Sequence, residues 1–288
     1  APENVSGTGL PIPRWHLAAA LVTTDPKWDR HLLTQAEQLL HYQSEVDILL
    51  YTGVGTTLAE QGEEPFSTVR MEEMPGNLRR HSTSDGDHMF LGAVLHTNAT
   101  KHGFDWLLVG ESVTTFFLDA VALSLEPYDP GDKHFFGLNL DHAHLKNPTV
   151  GRSFPRILAG CPRLGTPDDL RLVSYYHEKD LDYTTEHADC NATEFKNLSL
   201  LTWGWPSTQF GSILSRGLLD GISAQDWQKC VDRLVWHGAG FRLSACVASF
   251  GVPPTRLYDR TCSHPLCRWS EQRLPPRNLR DYVAFQKS

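Results

Sequence analysis

No apolar run in the chain approaches the ~18 residues that a membrane-spanning helix needs. No positively charged segment followed by an apolar one stands near the start, so no signal peptide is read there. The first residue is Ala1 rather than Met, which reads as a processed or truncated product. Positive charge is in deficit: 26 Lys and Arg face 34 Asp and Glu, for a formal charge of −8. That balance argues against a nucleic acid or an anionic membrane surface as partner. No CxxC pair occurs, the cysteine spacing does not resemble a zinc ribbon, and no internal repeat is present. What remains is a folded chain of ordinary composition. Its 288 residues are 40% hydrophobic and 21% charged, enough for one large or two small domains with a substantial core.

Two features speak to the compartment. The six cysteines Cys161, Cys190, Cys230, Cys246, Cys262 and Cys267 form an even set. Four sequons stand at Asn4, Asn98, Asn191 and Asn197, whereas Asn147 is followed by Pro and does not count. Together they point to an N-glycosylated, disulfide-bonded protein of the secretory pathway lumen (ER or Golgi) or to a secreted one. The competing reading is a cytosolic protein with six buried thiols.

Residues 1–14 are rich in Pro and Gly and read as a flexible leader. Trp15 to Val22 reads as a buried strand, and Asp25-Pro26 starts a helix that runs to about His41. Val46 to Thr52 is the next strand, which makes a βαβ unit and predicts a parallel sheet. An edge strand is expected at Ser67 to Met71 and a helix from about His88 to Lys101, capped by Ser84-Asp85. The apolar run Trp106-Leu107-Leu108-Val109 then stops at Gly110-Glu111-Ser112, and an abrupt strand end of this kind is where α/β enzymes often keep their chemistry. Phe116 to Leu125 reads as a short helix, His134 to Asn139 and Gln209 to Ile213 as strands. Helices follow from Ser223 to about Trp236 and from Phe241 to Phe250. Residues 141–200 look like an irregular insertion, and residues 257–288 like a tail packed on a domain spanning 15–256.

The order of these elements resembles the β1,3-glycosyltransferase superfamily of fringe and core 1 galactosyltransferase. Four segments carry the likeness: LAAALVTTDPKWDRHLLTQAEQLL, TSDGDHMFLGAVLHTNATKHGFDWLLVGES, LEPYDPGDKHFFGLNL, and FGSILSRGLLDGISAQDWQKCVDRL with FRLSACVASFGVPPT. The resemblance implies a GT-A fold, a Rossmann-type nucleotide-sugar-binding α/β architecture with a central mixed sheet. It implies a UDP-sugar donor, a Mn²⁺ cofactor, and a nucleotide-sugar edge at Thr23, Thr24, Glu111 and Ser112. It also implies the bridge Cys230–Cys246, with Cys161–Cys190 stapling the insertion and Cys262–Cys267 closing a tail loop.

The chain departs from that family where the chemistry should be. The strand that holds the metal in the family ends in an acidic triplet, because a divalent cation must be bridged from the diphosphate to protein carboxylates. Here the position reads Gly110-Glu111-Ser112, a single carboxylate. The family's general base precedes the helix that begins near Phe241. Here no Asp or Glu lies between Asp232 and Asp259, and His237 is the one proton acceptor in the matching stretch. A glycine-rich acceptor strand is replaced by Pro206-Ser207-Thr208-Gln209-Phe210-Gly211.

Other clusters are weaker. Asp85-Gly86-Asp87 precedes a helix, where acidic residues complement the helix dipole. Asp141, His142 and His144 offer a replacement metal set that a ligand from the insertion would complete, such as His177, His187 or Asp189; the alternative is a polar loop. Trp203 and Trp205 would stack on a sugar or pack in the core. Two functions therefore stand open. One is a non-catalytic, glycosyltransferase-like chaperone, subunit or binding module for a glycoprotein or a glycosyltransferase partner, with no fixed cofactor. The other is a divergent inverting β1,3-glycosyltransferase using a UDP-sugar and Mn²⁺.

Overall fold

A computed structural model describes residues 15–23, 32–34, 36, 37, 39, 46–52, 67–70, 87–112, 114–137, 140–141, 205–206, 211–233, 239–257 and 284–286. The strands are β1 (Leu17–Thr23), β2 (Val46–Thr52), β3 (Ser67–Arg70), β4 (Trp106–Glu111), β5 (Thr114–Phe116), β6 (Phe135–Gly137), β7 (Leu140–Asp141), β8 (Trp205–Pro206), β9 (Ser212–Ser215), β10 (Thr255–Arg256) and β11 (Ala284–Gln286). The helices are α1 (Asp87–Thr100), α2 (Leu118–Leu125), α3 (Arg216–Asp220), α4 (Ala224–Arg233) and α5 (Ala239–Ser249).

Every residue of β1, LAAALVT, is buried. A continuous apolar run without alternation is what a strand covered on both faces requires. β1 accordingly lies inside a seven-stranded sheet of order β10-β6-β9-β4-β1-β2-β3. β1 pairs in parallel with β2 and β4, β2 with β3, and β6 with β10. β9 alone in this sheet runs antiparallel, between β4 and β6. The fold is thus α/β with a central mixed sheet, as expected.

The period of two along the strands divides the core. Ala18, Ala20, Val22, Tyr51, Leu107 and Val109 face a layer containing Phe90, Ala93 and Val94 of α1, Trp227 of α4 and Leu243 of α5. Leu17, Leu21, Leu50, Trp106 and Leu108 face the other layer, with Leu32, Ala36 and Leu39 and with Leu118, Val121 and Leu125 of α2. Residues 32–34, 36, 37 and 39 are helical, in agreement with the βαβ reading. Cys230 of α4 and Cys246 of α5 form a disulfide with Cα atoms 5.5 Å apart. It is the bridge that the resemblance implied, while the other four cysteines lie outside the described residues.

Local signals account for several boundaries. Ser223 caps α4: its Oγ accepts from Asp226 N at 3.1 Å and donates to the Asp226 carboxylate at 2.7 Å. α5 ends at Gly251, whose φ is +83°. There Gly251 N donates to Ala248 O and Val252 N to Val247 O, the paired reverse bonds of a glycine-terminated helix. Most of the other boundaries shift by one or two residues, and two differ in a way that a specific contact explains. The helix expected from Phe116 begins at Leu118, because Thr114–Phe116 pairs as a strand with Ala284–Gln286. The strand expected at 209–213 is Ser212–Ser215, and Ser215 then caps the short α3 by accepting from Leu218 N, an element the sequence did not announce. The leader, the insertion beyond Asp141, and the cap at Asp25-Pro26 lie outside the described residues.

Candidate site at the carboxyl edge of β1 and β4

From β1 the sheet continues through β2 and β3 on one side and through β4 on the other. The chain order reverses between β1 and β4. In an open sheet of parallel strands, the crevice outside the carboxyl ends at such a reversal is the preferred ligand position. Three strand ends meet there. β1 ends at Thr23, β2 at Thr52 directly opposite it, and β4 at Glu111 opposite Val22. Ser112 extends the pairing by one residue, its N–H donating to Val22 O at 3.1 Å.

Alternation puts the Thr23 side chain on the face of Leu21 and the Thr52 side chain on that of Leu50, while Glu111 shares the face of Val109. The hydroxyl pair and the carboxylate therefore flank the edge from opposite sides. Thr23, Thr52 and Ser112 are buried and Glu111 is half-buried. Thr52 Oγ1 meets no hydrogen-bond partner among the described residues. The Glu111 N–H donates to Thr114 Oγ1 at 2.9 Å, which closes a tight reversal behind the edge.

Thr23, Glu111 and Ser112, three of the four residues expected at a nucleotide-sugar edge, thus converge on one strand boundary; Thr24 lies outside the described residues. Thr52 and Thr114 were not foreseen. Thr52 could have been found, since it ends VDILLYT as Thr23 ends LAAALVT. Thr114 carried no such signal, because its role depends on the chain reversing after Glu111.

A bridging Mn²⁺ takes about six oxygen donors, which protein carboxylates share with waters and substrate phosphates. At this edge the described residues supply one carboxylate, and no cluster of three or more His, Cys, Asp or Glu is gathered among them. Among the described residues the donor set for such an ion is therefore incomplete. Of the replacement set, the backbone of Asp141 lies in β7 opposite Trp205 of β8, while His142 and His144 lie outside the described residues. β8 in turn packs against α5.

Next to Thr52, Tyr51 is buried beneath α1. Its hydroxyl lies 2.7 Å from Thr97 Oγ1 and 3.0 Å from His96 Nδ1. Burial pushes the Tyr51 pKa well above the usual tyrosine value, with the Thr97 bond opposing, and burial holds His96 below the usual histidine value. Asn98, half-buried, lies in the last turn of α1; Asn4, Asn191 and Asn197 lie outside the described residues. No helix among the described residues is long and apolar enough to cross a membrane.

No family model matches the chain, and no curated protein matches it. Among solved structures it is similar to the galactosyltransferase LgtC, crystallised with donor and acceptor sugar analogs. The identity is 10% and the TM-score 0.48, over 94% of this chain and 86% of that one. It is also similar to the mannosyltransferase Ktr4p from S. cerevisiae in complex with GDP, with 13% identity and a TM-score of 0.36 over 82% of this chain and 66% of that one.

Proposed function

We propose that this chain is a non-catalytic, glycosyltransferase-like protein of the secretory pathway. It uses the carboxyl edge of β1 and β4 to hold a UDP-type nucleotide and serves as a chaperone, subunit or binding module for a glycoprotein or a glycosyltransferase. The observation that carries this reading is the edge itself: Thr23, Thr52, Glu111 and Ser112 meet at the reversal of strand order, with hydroxyl groups outnumbering a single carboxylate. Hydroxyl groups bond a ribose or a phosphate oxygen. They do not replace the carboxylates that hold a metal against a departing diphosphate. The segment leading into α5 adds no carboxylate base, since no Asp or Glu lies between Asp232 and Asp259, and His237 is the one proton acceptor there.

The test is a thermal-shift series with UDP and UDP-sugars, with Mn²⁺ and with EDTA, alongside an assay for UDP release. Ligand that binds only the folded chain raises Tm by mass action. The expected outcome is a shift that EDTA leaves unchanged and no release of UDP. A shift of several degrees that EDTA abolishes, accompanied by UDP release, refutes the non-catalytic reading. It establishes the second reading, a divergent inverting β1,3-glycosyltransferase, which the retention of Glu111 at the edge favours.

A further inference from the structure

The strand that follows the edge is held by contacts with β4, with the entry to β9 and with β11. Thr114 lies three residues after Glu111, and its Oγ1 accepts the Glu111 N–H at 2.9 Å. Its side chain occupies the space that a Cβ on Gly110 would need, within 2.8 Å of that position. Phe116, on the same face of β5, lies over Gly211, where φ is +86° and an added Cβ would stand 2.6 Å from the ring. β5 is therefore pressed onto the end of β4 and the entry to β9 at two positions that carry no side chain. Along its length β5 pairs antiparallel with β11, matching Phe116 with Ala284, Thr115 with Phe285 and Thr114 with Gln286. Among the described residues β5 has no other strand partner.

A three-residue strand does not hold its own geometry; paired backbone bonds and packing must do so. β11 supplies the bonds and the two glycines supply the packing. We infer that Thr114 is a positioning residue for Glu111, and that β11 is the strap that keeps Thr114 in place. Affinity for a nucleotide at the edge then depends on residues 284–286, far along the chain from every strand end that forms it. Release of β11 by cleavage, or by a partner that captures this segment, loosens the Glu111 reversal and lowers that affinity. The affinity part of this inference rests on the nucleotide reading above; the linkage from β11 to Glu111 does not.

Two measurements on the full chain test it: hydrogen exchange of the Glu111 amide without ligand, and UDP affinity by calorimetry. Thr114→Val removes the acceptor and keeps the shape, and Phe285→Pro disfavours strand pairing of β11, because Pro lacks an N–H and its ring restrains the residue before it. Each should speed Glu111 exchange and weaken UDP binding by about tenfold, the scale of one lost hydrogen bond. Thr114→Ser, which restores the hydroxyl, should recover the protection lost in Thr114→Val. Glu111 exchange unchanged by Phe285→Pro overturns the strap, and exchange unchanged by Thr114→Val overturns the positioning role. Faster exchange with UDP affinity intact refutes the tie between strap and binding. Failure of the unaltered chain to bind UDP refutes the nucleotide reading and the affinity part with it, while the exchange measurements still decide the linkage.

Discussion

Gly110→Ala places a methyl group where the structure has already placed Thr114. The new Cβ would lie 2.8 Å from the Thr114 Cβ and 2.9 Å from both Cγ2 and Oγ1. These atoms are not the far end of a flexible chain. Thr is branched at Cβ, so its χ1 is stiff, and Thr114 is fully buried. Its Cγ2 is also within 3.1 Å of the position a Cβ would take on Gly211, which confines it on that side too. Relief must come from a backbone shift of β5 or the end of β4, and overpacking of this kind costs about 1–3 kcal/mol. Against it stands the smaller entropy of an unfolded chain with Ala in place of Gly, worth about 0.4–1 kcal/mol. The clash wins, for a net loss of roughly 1–2 kcal/mol.

Urea unfolding followed by circular dichroism measures this directly. The midpoint should fall with the slope unchanged, and Tm should fall by about 2–4 °C per kcal/mol for a chain of this size. Gly251→Ala is the control. There φ is +83° and nothing lies within 4 Å of the added Cβ, so only the left-handed backbone opposes it, at about 1 kcal/mol. Adding Thr114→Ala to Gly110→Ala removes two of the three close atoms but leaves the Cβ at 2.8 Å, so it should recover only part of the loss. A Gly110→Ala protein as stable as the parent refutes the claim that β5 is pressed onto β4.

Replacing Cys230 and Cys246 by Ser opens a bridge of sequence separation 16, and a loop of that length implies a loss of about 3 kcal/mol in denaturant unfolding. Tyr51→Phe leaves Thr97 Oγ1 and His96 Nδ1 without the hydroxyl between them and should cost about 1–2 kcal/mol. His96 is held below the usual histidine value by burial, so its contribution is fully present above about pH 6.5 and is lost as pH falls through its folded-state value. His96→Gln should flatten that part of the stability–pH curve, and an unaltered acid slope counts against the assignment. Glu111→Ala should weaken UDP binding measured by calorimetry, and an unchanged affinity removes Glu111 from the nucleotide edge.

Legibility from sequence follows the range of the interactions that decide each element. LAAALVT, VDILLYT and WLLV are apolar over their length or nearly so, and any fold must cover both faces of such strands. Their place at the sheet centre could therefore be read without coordinates. So could the edge at Thr23, Glu111 and Ser112, because each of these residues ends or follows a strand. Thr114–Phe116 could not be read in this way. Thr and Phe suit either a strand or the start of the following helix, and the choice is made by Ala284–Gln286, far along the chain. The Cys230–Cys246 pairing likewise needed more than spacing, since six cysteines allow fifteen pairings.

Sheet order alone creates a crevice at the reversal between β1 and β4, whatever the side chains there. The crevice therefore says where a ligand would sit and nothing about whether a bond is broken. That question belongs to the residues lining it. Glu111 has its backbone N–H committed to Thr114, and Ser112 has its own committed to Val22. Both N–H groups fix the path of the chain, and Glu111 carries the one carboxylate of residues 110–112. One carboxylate can orient a ribose hydroxyl or a backbone amide. Any charge that offsets a diphosphate comes from a cation held by such groups, not from the carboxylate itself, and the stretch between Asp232 and Asp259 adds no further Asp or Glu. Gly110→Asp, which adds a second carboxylate to this edge, meets the same Thr114 side chain that excludes Ala and should lower the urea midpoint at least as far as Gly110→Ala does.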